Sequence, residues 1–443
     1  MKFYLILLSF LFTSCLFFKR RSSIDEEKMF IHQVLCPVSV IQSLSSWSDI
    51  EDDDPKTPEF ICGEIEVPEI YTDRSSTKIK LKYFYLFPKS YPENKVLPAP
   101  FVMSQGGPGS SSLSLYLHTR DRFSDIVNEH GLFAFEYRGT KNSSVPLDCL
   151  HISYEKCVSF WKKRFDMRGF NSREFAGDVV TLMEMTGIQY YWFYGVSYGT
   201  LIGQHLLRHP RSTGLKGVIL DSVVPYEAEY WPPQKALWIA AKRLSRLCFS
   251  DMDCAAAYPH LSEFHKREEF KKFKMTVLRG KLFSIFDSYD FYQSKDQFFN
   301  NVEKILAEDE NAEYEHLSKI RDKNDLLFFT VVCNETLIKK PYIDDDVCNE
   351  ILSNGKVDMT SKPIVNPGVP VLFLSGYYDV RTNSELAENL IEKNNMNYMQ
   401  NVKLNVGHGV FFKHQNAPGL VSSFLRDPMQ NFEFQSETQN WAK

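Results

Sequence analysis

Short apolar runs alternate with amphipathic stretches along most of the chain after residue 100. The runs are FVMSQ, LFAFEY, YYWFYGV, GVILDSVV, VPVLFLSG and VKLNVG. Strands buried on both faces of a parallel sheet have this near-continuous apolar character. Between Glu174 and Thr186, apolar residues recur at helical spacing and lead directly into the next run. The pattern predicts an α/β fold, a mostly parallel sheet with helices on both faces.

The chain before residue 100 has a different pattern. Residues 61–67 and 79–87 alternate between apolar and polar positions, which predicts an antiparallel pair of strands.

Charged and aromatic helix-like sequence later interrupts the series of apolar runs. We therefore predict a signal segment at 1–21, a polar segment at 22–60, a core at 61–225 and 363–443, and an inserted, mainly helical lid at 226–362.

Composition limits the class of protein. The 443 residues are 43% hydrophobic and 24% charged, which is the balance of a globular protein rather than a disordered or coiled-coil one. The net charge is −5, so the chain lacks the basic field that attracts nucleic acid. DNA and RNA are therefore excluded as expected partners.

The first residues predict export. Residues 3–18 are uncharged and follow Lys2, and this stretch is too short for a membrane-spanning helix, which needs about 20 apolar residues. LFTSC, residues 11–15, resembles a loose bacterial lipobox, which predicts lipidation of Cys15. An ordinary signal peptide or a short signal anchor is the alternative. We expect an exported protein, anchored to a membrane as a lipoprotein or otherwise periplasmic or secreted.

Eight cysteines remain when Cys15 is set aside, and an even number in an exported chain favours disulfides. Connectivity cannot be deduced from sequence, and buried free thiols are the alternative. Close spacing suggests three pairs, and the last two cysteines would complete the set. The suggested pairs are Cys149 with Cys157, Cys248 with Cys254, Cys333 with Cys348, and Cys36 with Cys62. No CxxC or cysteine–histidine spacing indicates a metal site instead.

The strongest local motif is Gly195-Val196-Ser197-Tyr198-Gly199, a G-x-S-x-G that follows an apolar run and precedes a helix-like one. A tight strand-to-helix turn raises the serine hydroxyl above the sheet, and the flanking glycines leave room for it. Ser197 is therefore the candidate nucleophile. QGGPGS, residues 105–110, follows another apolar run, where such sheets place the oxyanion loop. The backbone N–H groups of Gly107 and Tyr198 are the candidate oxyanion donors, and a structural Gly-Pro turn is the alternative.

A serine nucleophile needs a base and an acid. His408 lies between two glycines just past an apolar run, which makes it the candidate base among eleven histidines. Asp379 follows VLFLSG and is the candidate acid, because α/β sheets place their sites at the carboxyl ends of strands. Asp221, after the preceding strand, is the alternative acid. The chain order Ser197, Asp379, His408 is that of α/β-hydrolases.

The motifs together resemble the exported tripeptidyl aminopeptidase and proline iminopeptidase family of α/β-hydrolase serine peptidases. The resemblance runs from about Cys62 to the C-terminus, through CGEIEVP, QGGPGSSS, EYRGTKNSS, GVSYGTLIGQHLLRHP, GVILDSVVP, VPVLFLSGYYDVRT and GHG in order. It implies an eight-stranded core, a helical cap, disulfides, no metal or cofactor, and cleavage at free peptide N-termini. Glu136 stands where members usually have Asp. The lid carboxylates that would bind the substrate amine match no motif here, and Glu227 and Glu229 are the candidates.

The leading hypothesis is an exported serine hydrolase that releases residues or short peptides from free N-termini through an acyl-enzyme. Its expected partners are a peptide or small acyl substrate and, through the lipid anchor, a membrane. One alternative is an esterase or lipase acting on small esters, because the same triad cleaves both. Another is a catalytically silent, surface-anchored binding protein that keeps the hydrolase scaffold.

Overall fold

The structure of the chain is a computed structural model. It describes residues 31–37, 60–88, 97–140, 143–149, 152–226, 233–267, 295–308, 326–335, 345–352, 368–394 and 398–430, with positions 28, 40, 282–283, 285–287, 289 and 432.

Nine strands form one sheet within the described ranges. They are β1 (Gln33–Val34), β2 (Phe60–Pro68), β3 (Lys78–Leu86), β4 (Phe101–Ser104), β5 (Leu132–Phe135), β6 (Tyr191–Val196), β7 (Leu215–Asp221), β8 (Val371–Gly376) and β9 (Met399–Leu404). Their order is β1-β2-β3-β5-β4-β6-β7-β8-β9. The first four strands in this order pair antiparallel, and all later neighbours pair parallel. The predicted α/β-hydrolase sheet is confirmed, but it has nine strands instead of the expected eight, because the two-residue β1 extends it at one edge.

Helices connect most of the strands. They are α1 (Ser112–Thr119), α2 (Ser124–His130), α3 (Tyr154–Lys162), α4 (Ser172–Met185), α5 (Gly199–Leu206), α6 (Pro233–Phe249), α7 (Met252–Ala257), α8 (Pro259–Glu263), α9 (Lys295–Glu308), α10 (Leu326–Glu335), α11 (Asp345–Ile351), α12 (Ser384–Asn394), α13 (Val410–Lys413) and α14 (Ala417–Arg426).

Burial follows the hydrophobic pattern. In β3 the exposed Lys78 and Lys80 alternate with the buried Ile79 and Leu81, as expected of a half-exposed antiparallel strand. Every position of β4, β6 and β8 is buried. Parallel strands of this kind need a cover on both faces, because both faces are apolar.

Two hydrophobic clusters supply that cover. On one face, Val102, Phe193 and Phe373 belong to the same buried cluster as apolar residues of α4 and α5. On the other face, Phe101, Trp192 and Leu372 belong to a cluster with residues of α2 and α14. Neighbouring residues of one strand therefore point into opposite layers.

The insertion between β7 and β8 packs in two places. Residues of α6, α8 and α9 form a third cluster with Tyr378 and Val380, which follow β8. Helix α10 instead joins the core cluster that contains α4. There Asn334 donates hydrogen bonds to the carbonyl oxygens of Met167, at 2.7 Å, and Phe170, at 3.1 Å. One part of the insertion thus covers the loop after β8, and the other is fixed to the core.

Four disulfides join the cysteines in the predicted pairs, of which close spacing suggested three and the fourth completed the set. They are Cys36–Cys62, Cys149–Cys157, Cys248–Cys254 and Cys333–Cys348. The first ties the segment of β1 to β2, and the last ties α10 to α11. Disulfides at this density are consistent with an extracellular location. No helix in the described part of the chain is both long and apolar enough to cross a membrane.

Candidate active site

Ser197 lies in the tight turn between β6 and α5, and its backbone φ of 54° is in the left-handed region. A non-glycine residue adopts this region at a cost, which is typical of functional turns. A Cβ on Gly195 would lie 2.4 Å from the carbonyl oxygen of Gly199, and a Cβ on Gly199 would lie 2.6 Å from that of Ser104. Glycine is therefore required on both sides of Ser197, as the motif predicts.

Asp379 and His408 are brought together from the loops after β8 and β9. Nδ1 of His408 lies 2.9 Å from Oδ2 of Asp379. The second oxygen, Oδ1, accepts the N–H groups of Arg381 and Thr382, both at 2.8 Å, and the Thr382 hydroxyl donates to Oδ2 at 2.8 Å. The carboxylate is therefore fixed on both oxygens, and a proton on Nδ1 of His408 leaves Nε2 as the basic nitrogen.

The charge state of Asp379 suits this contact. Burial alone would raise the pKa of its carboxyl, but the neighbouring His408 and the hydrogen bonds to His408 and Thr382 lower that pKa below its usual value. Asp379 is therefore ionised at neutral pH. An ionised carboxylate beside an imidazole stabilises the imidazolium that forms when the ring accepts a proton.

Asp221, the alternative acid, ends β7 and contacts the backbone after His408 rather than the imidazole nitrogens. Its carboxylate accepts the N–H groups of Val410 and Phe411, both at 2.8 Å. The carbonyl oxygen of Asp221 accepts the N–H of Ser197 at 2.9 Å. The contact to the ring therefore distinguishes Asp379 from Asp221 as the candidate acid.

The glycine-rich loop after β4 lies directly beside Ser197. A Cβ on Gly106 would lie 2.8 Å from Cβ of Ser197. The N–H of Gly106 donates to the side-chain oxygen of Gln105 at 2.7 Å, so it is already used. The N–H groups of Gly107 and Tyr198 have no hydrogen-bond partner among the described residues. Their availability, and the position of Tyr198 at the N-terminus of α5, fit donors to a negative oxygen.

Residues that follow β5 form hydrogen bonds to this loop and to the start of α1. Glu136 accepts hydrogen bonds from the Ser111 hydroxyl at 2.6 Å, the Leu113 N–H at 3.3 Å and the Thr140 hydroxyl at 3.1 Å. The next residue, Tyr137, donates its hydroxyl to the carbonyl oxygen of Gln105. Burial raises the pKa of the Glu136 carboxyl, an effect that these hydrogen bonds oppose. The glutamate at this departure from the family motif therefore supports the start of α1.

Part of the insertion contacts both the acid loop and the base loop. The carboxylate of Asp287 pairs with the guanidinium of Arg381 through two contacts, at 2.6 and 2.9 Å. The carbonyl oxygen of Tyr289 accepts the N–H of Gly407 at 3.2 Å. Residues 287 and 289 thus contact the neighbours of both Asp379 and His408.

Glu335, at the end of α10, is a residue of this region that the sequence patterns do not predict. Its Oε1 accepts the Tyr198 hydroxyl at 2.8 Å and also the N–H of Ser172. Burial raises the pKa of this carboxyl to about 7, against the smaller lowering by these hydrogen bonds. Nothing local in the sequence distinguishes Glu335 from other glutamates of the insertion, because its partners lie far away along the chain.

Three predicted residues lie outside the described ranges. They are Cys15, Glu227 and Glu229. The lipidation of Cys15 and the binding of a substrate amine by Glu227 or Glu229 therefore stay predictions. Among the residues that are described, no group of three or more His, Cys, Asp and Glu is placed to hold a metal ion.

Comparison with solved structures finds hydrolases of several kinds. A thermophilic esterase from Thermogutta terrifontis aligns at 13% identity over 83% of this chain and 100% of that chain, with a TM-score of 0.42. A proline iminopeptidase from Mycobacterium smegmatis aligns at 12% identity over 83% of this chain and 99% of that chain, also with a TM-score of 0.42.

Comparison by sequence identifies the family. A curated protein of Escherichia coli (strain K12), "Putative hydrolase YuaR", is 22% identical over 198 residues, and the match spans 41% of this chain and 39% of that relative. The sequence model of one protein family, which is described as alpha/beta hydrolase fold, matches residues 99–415 of this chain. This range contains Ser197, Asp379 and His408. The chain belongs to the alpha/beta hydrolase fold family.

Proposed function

We propose that this hydrolase is a serine hydrolase with Ser197 as nucleophile, His408 as general base and Asp379 as the acid that orients the base. The observation that carries the proposal is the 2.9 Å contact between Asp379 and His408; Asp221 in turn bonds both the turn after His408 and the turn of Ser197. A serine, a base and a base-orienting carboxylate are the parts that nucleophilic acyl transfer needs.

The reaction follows from these parts. The hydroxyl oxygen of Ser197 attacks the substrate carbonyl carbon while Nε2 of His408 takes the hydroxyl proton. The carbonyl oxygen becomes an oxyanion, which accepts hydrogen bonds from the N–H groups of Gly107 and Tyr198. Loss of one such donor typically lowers kcat about 10²- to 10³-fold.

The tetrahedral intermediate then breaks down in favour of the acyl-enzyme. The imidazolium of His408 gives its proton to the leaving amine, and the bond between that nitrogen and the carbonyl carbon breaks. Water attacks the acyl group of Ser197 in the same way, with His408 again taking and returning a proton. The acid product leaves, and Ser197 regains its hydroxyl.

The proposed substrate is a peptide with a free N-terminus. The ordered set of motifs supports this assignment, and the buried carboxyl of Glu335 adds a physical argument. Glu335 contacts Tyr198, the residue after the nucleophile, and burial keeps its pKa at about 7. A substrate ammonium group near this carboxyl would favour its ionised form.

The test compares aminoacyl, dipeptidyl and tripeptidyl amides, with free and blocked N-termini, and simple esters. Ser197→Ala is the control, because it removes the nucleophile and keeps the size of the side chain small. Cleavage of free N-termini alone, lost in Ser197→Ala, is the expected result and gives the number of residues released. Faster ester cleavage without need of a free amine would contradict the peptidase proposal. Activity that survives in Ser197→Ala would contradict the serine mechanism.

The proposal includes export and a lipid anchor at Cys15. Four disulfides support an oxidising compartment, and the lipobox-like sequence supports the anchor. Cys15→Ala should release the protein from membranes into the soluble fraction, and unchanged detergent partitioning would contradict the anchor. Titration of the denatured, unreduced protein should find none of the eight paired cysteines free.

A further inference from the structure

The last residue of β7 and the residue after it lie between the turn of Ser197 and the turn of His408. The carbonyl oxygen of Asp221 accepts the N–H of Ser197, and the carboxylate of Asp221 accepts the N–H groups of Val410 and Phe411. The hydroxyl of Ser222 accepts the N–H of Gly409 at 2.8 Å. Two consecutive residues therefore bond the nucleophile and the three residues that follow the base.

The bonding leaves little freedom at this point. The carboxylate of Asp221 also accepts the Tyr194 hydroxyl at 2.8 Å and the Ser222 hydroxyl at 3.1 Å, so it has four donors around two oxygens. Both Asp221 and Ser222 are fully buried. A buried carboxylate with this many hydrogen bonds is costly to move, because each bond lost leaves an unsatisfied polar group.

Ser222 also has an unfavourable backbone conformation. Its φ is 56°, and Ser222 and Ser197 are the two non-glycine residues of the described chain with positive φ. Its N–H donates to the carbonyl oxygen of Leu374 in β8 at 2.8 Å. Strain of this kind persists where the surrounding bonds require it, and here it directs the hydroxyl to Gly409.

We propose that Asp221 and Ser222 are positioning residues that set the placement of His408 relative to Ser197. The proposal rests on the proposed function, in which the side chains of Ser197 and His408 exchange a proton. Neither positioning residue takes part in that exchange. Asp221 instead fixes the backbone of the Ser197 turn and the backbone of the turn after His408. A change of about 1 Å in the distance between two reacting groups can cost about 100-fold in rate.

The experiment compares Asp221→Asn, Ser222→Gly and Tyr194→Phe in the full-length protein. Asparagine keeps the shape of the side chain, but its NH₂ group opposes one of the two backbone N–H donors. Glycine accepts the positive φ of residue 222 and removes the hydroxyl together with the Cβ that carries it. Tyr194→Phe is the matched control, since it removes a donor from the same Oδ2 of Asp221 and leaves both bonds to the turn after His408.

The readouts are kcat per active site, KM, the rate of covalent labelling by a fluorophosphonate, and the midpoint of thermal unfolding. We expect Asp221→Asn to lower kcat and the labelling rate about 100-fold with KM nearly unchanged. Ser222→Gly should lower both rates by up to about tenfold. Tyr194→Phe should lower the thermal midpoint and keep both rates within about threefold of wild type.

The outcomes separate this inference from the proposed function. Rates per active site that stay at the wild-type level in both Asp221→Asn and Ser222→Gly, while Ser197→Ala is inactive, would overturn the positioning role alone. A loss in Tyr194→Phe equal to that in Asp221→Asn would also overturn it, because the effect would then be general destabilisation. A wild-type protein inert to both substrate and phosphonate would overturn the proposed function and this inference with it.

Discussion

Two buried aspartates lie at or just after the carboxyl ends of neighbouring strands and contact different parts of the same turn. Asp379 contacts the ring of His408, and Asp221 contacts the N–H groups of Val410 and Phe411. Burial acts to raise the pKa of both carboxyls. The pKa of Asp221 stays raised, whereas the nearby His408 brings the pKa of Asp379 below its usual value. The carboxylate that contacts the basic ring therefore differs in role from the one that contacts neutral backbone amides.

The largest expected effect comes from Asp379→Asn, because the amide favours the wrong tautomer of His408 and no longer stabilises the imidazolium. We expect kcat to fall about 10⁴-fold with a small change in KM. Steady-state kinetics of Asp379→Asn beside Asp221→Asn measures the comparison directly. A larger loss in Asp221→Asn than in Asp379→Asn would exchange the roles assigned to the two residues.

The double variant Asp221→Asn/Asp379→Asn tests whether the two aspartates act through the same group. Both residues act through His408, so their effects should not multiply. Once Asp379 is replaced, we expect the additional loss from Asp221→Asn to be below about tenfold instead of about 100-fold. A full multiplication of the two losses in kcat would show that the residues act independently.

Stability should depend on pH with opposite sign at the two positions. The lowered pKa of Asp379 adds stability above its unfolded pKa, and this contribution is lost as pH falls through the folded pKa. The raised pKa of Asp221 makes the folded state lose stability as pH rises from the unfolded pKa to the folded one. Each residue's contribution is the free energy of unfolding of wild type minus that of its Asn variant.

Urea unfolding measures both contributions, below about pH 4 for Asp379, whose pKa is lowered on folding, and above about pH 4 for Asp221, whose pKa is raised. The contribution of Asp379 should increase with pH, and that of Asp221 should decrease. Contributions with the same slope would contradict the different surroundings of the two carboxyls.

The smallest expected effect on activity comes from the insertion, which contacts the loop of Asp379, whereas the end of β7 is buried in the core. Arg381→Gln removes the partly exposed ion pair with Asp287, and such pairs contribute about 0.2 to 1 kcal/mol. We expect kcat/KM to fall by about two- to fivefold, with the difference from wild type shrinking at high salt. Lys266→Gln, which removes the exposed ion pair with Glu263, is the matched control and should leave kcat/KM unchanged. A loss in Arg381→Gln as large as in Asp379→Asn would contradict a merely supporting contact.

Local sequence patterns were sufficient for the elements and for part of the site. The glycines around Ser197 are needed by a turn whose sterics are set within five residues, so the motif alone predicts its geometry. The continuous apolar runs of β4, β6 and β8 likewise report burial on both faces. Asp379 and His408 were predicted from chain order and strand ends, and the structure shows them in contact.

The supporting residues could not be predicted, because their partners are distant in sequence. Asp221 bonds Val410 across 189 positions, and Glu335 bonds Tyr198 across 137. Hydrophobic periodicity reports which face of an element is buried, but it does not report which backbone N–H a buried carboxylate will meet. The role of Glu136, whose partners at Ser111 and Leu113 come from another strand-to-helix connection, was missed for the same reason.

In the proposed mechanism Ser197 is a nucleophile activated by His408. The most direct test treats the folded protein with a fluorophosphonate and locates the adduct by mass spectrometry of its peptides. We expect one adduct, on Ser197, with labelling slowed strongly in His408→Ala and unaffected in Lys266→Gln. An adduct on another residue, or labelling of Ser197 at the same rate without His408, would contradict this mechanism.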